Sequence, residues 1–150
     1  MSFRYRGSMS QLPVVLGTLA EAAVLLALAR LALFILPFRT IASFLDRPLQ
    51  RVAPDSRTRA RQRARIKWAI DRGARILPGE TVCFPRGIAG FVMCRSRGID
   101  SVLHYGAAVF PGQGLKAHVW LQDGRYGITG QSVSSEYCVL ARFPAGAGGN

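Results

Sequence analysis

The chemistry this sequence offers rests on a cysteine and a histidine. Cys83 lies in Glu80-Thr81-Val82-Cys83-Phe84-Pro85-Arg86-Gly87, where a polar, Gly/Pro-marked stretch gives way to an apolar-periodic one. Pro85 suits the first turn of a helix, where its missing N–H would have no partner anyway, and Thr81 or Cys83 can cap that turn. The helix is predicted to run to about Arg97, with Gly98 just past its end. A thiol at a helix N-terminus meets unpaired N–H groups and the positive end of the macrodipole, and both favour the thiolate. Thirty-five residues later, Ala117-His118-Val119-Trp120-Leu121 reads as a strand carrying one histidine. A thiol on a helix start and an imidazole on a following strand are the equipment of thiol catalysis.

The strand alternates. Leu115, Ala117, Val119 and Leu121 share one face, and Lys116, His118, Trp120 and Gln122 share the other, more polar one. As a base, His118 has to come within hydrogen-bond reach of the Cys83 thiol. A group that orients the imidazole is harder to find. Asp123 is the nearby carboxylate, but it stands five residues from His118, points to the opposite face and belongs to the next turn. Folding the hairpin at Asp123-Gly124 brings Ile128, Thr129 or Gly130 opposite His118, depending on register. Thr129 or Gln131 is then the neutral candidate to hold the ring. His104, on a strand face with Val102, is expected to be structural or solvated. Cys94, inside the Cys83 helix, and Cys138, on an apolar edge strand, are expected to pack.

Three cysteines at these spacings argue against a disulfide framework and a structural metal site, and suit a reduced cytoplasm. Twenty Lys and Arg against eight Asp and Glu give +12, and nine of the cations lie between Arg51 and Arg75. Such a field attracts anionic lipid, nucleic acid or an acidic protein. No nucleic-acid motif accompanies the arginines and aromatic interleaving is nearly absent apart from Trp68, so nucleic acid is not an expected partner. A solvated helix face, or a docking surface for an acidic partner, fits better.

The supporting elements follow from periodicity. Residues 13–38 are nearly all apolar but interrupted by Glu21 and Arg30. A central Arg costs about 2.5–3.5 kcal/mol on insertion scales, so a spanning helix is disfavoured. The segment is expected to be buried in the protein or to rest against a membrane face. It is predicted as a helix over about 12–36 that stops at Pro37, followed by a short helix over 39–45. A third helix, capped by Asp55 or Ser56, runs to about Ile76, with its arginines at 57, 59, 61, 63 and 65 spread around the outside. After Gly98 the period becomes two. Strands are predicted over 101–109, 115–122, 125–130 and, at an edge, 136–142. The class is α+β: N-terminal helices, then a catalytic helix on a small antiparallel sheet. The organisation is an apolar helical segment over 1–55, a domain over 56–144 and a tail over 145–150.

Read together, these blocks resemble a known family. The apolar helix, the arginine-rich helix, Cys83 with Arg86-Gly87-Ile88-Ala89, Arg97-Gly98-Ile99-Asp100, a strand ending in Tyr105-Gly106-Ala107, and Ala117-His118-Val119-Trp120 come in the order of the lasso-peptide maturation protease. That is the B protein of lasso-peptide gene clusters, a transglutaminase-like cysteine protease. The resemblance covers about residues 12–144. It implies a transglutaminase/papain-like core in a bacterial, cytoplasmic enzyme, with Cys83 as nucleophile, His118 as base and no cofactor. It implies cleavage of the leader from a ribosomally made precursor. The implied partners are that precursor, a separate leader-recognition protein and an ATP-dependent lasso cyclase. The family motif places a carboxylate about twelve residues after the histidine; here that position is Gly130. The alternatives are a non-catalytic scaffold of the same fold and a basic protein binding a membrane surface, through residues 12–38, or nucleic acid.

Overall fold

Several helix boundaries trace to a local cause. The computed structural model describes residues 12–47, 51–76 and 83–145. Helix α1 (Leu12–Ile35) turns Thr18, Ala22, Leu26 and Ala29 inward, a stripe at helical spacing. It ends before Pro37, and α2 (Phe38–Leu45) starts from that proline and buries Ile41 and Leu45. Helix α3 (Ser56–Ile76) is capped by Asp55, whose Oδ1 accepts the N–H groups of Arg57 at 3.1 Å and Thr58 at 3.0 Å. Those bonds, and the side-chain bond to Thr58 above all, hold the Asp55 carboxyl below its usual value. Helix α4 (Cys83–Ser96) opens on the cysteine, with Pro85 in its first turn as expected. The predicted cap at Thr81 lies outside the described residues.

The second half is a four-stranded antiparallel sheet of β1 (Val102–Phe110), β2 (Gly114–Asp123), β3 (Tyr126–Thr129) and β4 (Cys138–Phe143), in the order β3-β2-β1-β4. The protein is therefore α+β, with helices first and the sheet after. Two details differ from the sequence reading. A 3-10 segment, Gln131–Glu136, precedes β4, so the last strand starts at Cys138 rather than 136. Asp123 is not in the turn; it is the last residue of β2, paired with Tyr126, and the turn is made by Gly124 and Arg125.

One apolar core joins all the layers. Leu26 of α1, Ile66 and Ile70 of α3, Phe91 and Met93 of α4, and Leu103, Leu121 and Ile128 of the sheet are each 0–1% exposed within it. The predicted inward face of α4 holds for Ile88 and Phe91, while Val92 is only half-buried.

The arginines of α3 do not all face solvent as expected. Asp123 is 4% exposed and points onto α3. Arg59 grips it through Nη2 to Oδ1 and through Nε to Oδ2 at 2.8 Å, and Arg63 reaches Oδ2 at 3.0 Å. A buried carboxylate needs such partners, and periodicity along α3 does not show which arginines supply them. Arg63 also lies 4.6 Å over the Tyr126 ring, so it holds both strands of the β2–β3 hairpin beside its turn.

Breaking a buried ion pair from one side is costly, but these arginines keep part of their solvent contact and can rehydrate. Asp123→Ala should therefore lower stability by about 2 kcal/mol. Denaturant unfolding measures it, and a loss under about 0.5 kcal/mol would mean the cluster is only a surface pair.

Candidate functional site

Two glycines bring α4 onto β2. A Cβ at Gly87 would stand 2.7 Å from Val119 Cγ1 and 2.8 Å from Leu103 Cδ1, and one at Gly90 would stand 2.9 Å from Leu121 Cδ2. The helix thus lies closer to the sheet than any side chain there would allow. Its course matches the strand's: Gly87 sits on Val119, and Gly90 on Leu121 farther along. One helical turn back from Gly87, Cys83 opens α4. Cys83 is half-buried and packs against the core. Beside it, Phe84 lies tilted against Tyr105 at 5.9 Å and meets Phe38 edge-on at 5.8 Å. Arg86 is held by Asp71 of α3 at 2.7 Å.

His118 stands on the face predicted for it. Val119 and Leu121 turn toward α4, whereas His118 and Trp120 turn to the other face, where the 3-10 segment and Tyr137 cover them. The imidazole lies 6.0 Å from the Trp120 ring and 5.0 Å from Tyr137. Its Nε2 lies 2.8 Å from the carbonyl oxygen of Gly130. A carbonyl only accepts, so Nε2 carries the proton and the lone pair of the neutral ring is on Nδ1. No hydrogen bond joins Cys83 to His118 among the described residues.

The orienting group is therefore neither Thr129 nor Gln131. Thr129 is 3% exposed, turns toward Gly90, and leaves its hydroxyl without a hydrogen-bond partner. Gln131 begins the 3-10 segment. Gly130 takes the role through its backbone, which requires a left-handed turn at φ 65°. A Cβ there would meet Val119 O at 2.5 Å and His118 Nε2 at 3.0 Å, so both conformation and space demand glycine. Sequence reasoning missed this partner because a main-chain carbonyl has no side-chain signature. The available signal was the glycine itself, in the place where the resembling family has a carboxylate.

The remaining candidates separate cleanly. Cys94 is fully buried in the core, and burial pushes its thiol up to about 12. Cys138, expected to pack, is exposed instead, because β4 is an edge strand. All three cysteines are free. His104 stacks flat on Trp120 at 5.2 Å and 3°, and its buried Nδ1 has no partner. Burial first, and the charge of Arg142 second, hold its pKa below the ordinary 6.5. Among the described residues, no group of three or more His, Cys, Asp or Glu side chains is placed to hold a metal.

A helix opening on a half-buried cysteine, laid along a strand with a carbonyl-held histidine, is the arrangement to compare with known proteins. A family model described as the transglutaminase-like superfamily matches residues 22–142. The chain belongs to that superfamily. The superfamily includes cysteine proteases and transferases, and the match runs from α1 through β4. No curated protein and no solved structure matches the chain significantly.

Two measurements probe this layout. Since burial favours the neutral His104 ring, the unfolded chain takes up its proton more readily than the folded one. The stability this contributes is present above about pH 6.5 and is lost as pH falls through the lowered folded value. The loss of Tm between about pH 7 and 5 should be smaller in His104→Gln than in wild type; equal losses would show that His104 is not its source. The raised thiol of Cys94 should keep it unlabelled by iodoacetamide near neutral pH while the protein is folded. Peptide mapping checks this, and labelling of Cys94 at the rate of exposed Cys138 would contradict the burial.

Proposed function

We propose that the protein is a cysteine endopeptidase that removes the leader from a lasso-peptide precursor. The observation that carries the reading is the hydrogen bond from His118 Nε2 to the Gly130 carbonyl, on the strand against which α4 packs. It leaves Nδ1 as the basic atom, the state a general base needs. The lasso-peptide assignment rests on the ordered Cys83, Arg97-Gly98-Ile99 and Ala-His-x-Trp blocks, and the thiol chemistry is in keeping with the superfamily.

In this mechanism Nδ1 takes the Cys83 proton, and the thiolate attacks the scissile carbonyl carbon. The backbone N–H of Cys83 or Phe84, at the start of α4, helps bind the oxyanion. The imidazolium returns its proton to the leaving amine, the C–N bond breaks and an acyl-enzyme remains. Water, deprotonated by His118, then hydrolyses the thioester and frees the thiol. The mechanism requires the His118 side chain, turned away from α4 in this structure, to swing to the Cys83 thiol when substrate binds. Gly130 differs from a carboxylate in one respect: it orients the ring but brings no negative charge to stabilise the imidazolium. The partners are the precursor, a separate leader-recognition protein and an ATP-dependent cyclase that closes the new N-terminus.

Incubated with precursor and recognition protein, Cys83→Ala should release no leader. His118→Ala should lose at least ~10³-fold in kcat/KM. Mass spectrometry of the products reads both. Wild-type release by Cys83→Ala would refute the assignment. A second reading, a non-catalytic scaffold of the same fold, is favoured by the glycine at the carboxylate position and by the unmade Cys83–His118 bond. It predicts that Cys83 is alkylated as slowly as Cys94 near neutral pH, whereas a working thiolate reacts much faster.

A further inference from the structure

Helix α1 is only partly used by the fold. Its inward stripe is mostly small residues, while Leu16, Val24, Leu28, Leu31 and Phe34 are 55, 58, 54, 53 and 90% exposed. The apolar surface continues onto α2, where Phe38 and Phe44 are 48 and 45% exposed. Between α1, α2 and α4 lies an open groove of about 410 Å³, lined almost wholly by apolar atoms of residues such as Leu28, Leu36, Phe44 and Val92. A contiguous apolar face of this extent marks an interaction surface.

Its surroundings are cationic. Arg39 and Arg47 are exposed on and just after α2, with the Arg47 guanidinium 5.9 Å over the Phe44 ring. Arg4 and Arg6 precede α1 in the chain, and the whole protein carries +12. A second copy on this face would bring two strongly positive bodies together, whereas an anionic lipid surface complements both the apolar side chains and the charge. By length and composition α1 could cross a membrane. Its acid, Glu21, is instead gripped by Arg97 of the α4 end through two hydrogen bonds of 2.9 and 2.5 Å, and Leu26 is fully buried. Threading the bilayer would break that pair and expose the core.

We propose that the protein docks on an anionic bilayer with α1 lying in the interface plane, inserting Leu28, Leu31, Phe34 and the α2 phenylalanines while arginines meet the headgroups. The same face reaches the candidate site, because Phe38 touches Phe84, the neighbour of Cys83. Docking would therefore present the thiol beside the lipid surface. The inference stands apart from the peptidase assignment and is tested without activity.

The test is flotation of the full chain with phosphatidylglycerol/phosphatidylcholine vesicles and with pure phosphatidylcholine. Wild type should float with the anionic vesicles, and less at high salt. The double variant Leu28→Glu/Leu31→Glu, its fold checked by circular dichroism, should partition at least ~10-fold less. Arg39→Glu/Arg47→Glu should weaken binding to anionic vesicles only. Light scattering of the same proteins addresses a second copy. No flotation on either vesicle would overturn the proposal. So would a dimer that the Leu28→Glu/Leu31→Glu variant dissociates while its flotation is unchanged.

Discussion

The seam between α4 and β2 is the constraint on which the rest depends. Gly87 and Gly90 let the helix backbone settle against Val119, Leu103 and Leu121 at a separation that a single methyl group would prevent. That closeness sets how near the helix that opens on Cys83 lies to the sheet. Large side chains on the strands complement glycines on the helix, so the contact is tight. A thiol with no fixed neighbour is only a small hydrophobe. Here it opens the helix packed on β2, a strand whose other face carries an imidazole of defined tautomer.

Two charge clusters keep the seam in place from outside. Asp123 closes the end of β2 on α3 through Arg59 and Arg63, and Asp71 joins α3 to α4 through Arg86. The helix that looked like a basic solvated rod is therefore a brace on the sheet and on the helix bearing Cys83. Its Arg59 and Arg63 are used for structure before any partner is considered. The exposed apolar side of α1 is the counterpart: side chains that the core did not need, held outward because Glu21 and Leu26 fix the rotation of the helix.

Much of the fold was legible because its signals are local. Proline at 37 and 85, Asp55 as a cap, and the switch of period after Gly98 each act within a few residues, and the elements they delimit lie within two or three residues of expectation. The face of His118 followed from alternation alone. The errors share a cause. Asp123 was assigned to a turn, Thr129 or Gln131 to the imidazole, and Cys138 to packing. Each depends on register, a bulge or strand order, and the β2–β3 ladder does shift between Leu121 and Gln122.

The sequence by itself determined the classes of element, the α+β order, the candidate nucleophile and base, and the glycine in place of a carboxylate. These are properties of residue type and short-range spacing. Only the tertiary structure decided that a main-chain carbonyl holds His118, that Arg59 and Arg63 turn inward, and that α1 is tied down along one narrow stripe. The reason is physical: a backbone acceptor is the same at every residue, and a charge or an apolar side chain acquires its partner only when distant segments are brought within ångströms of one another.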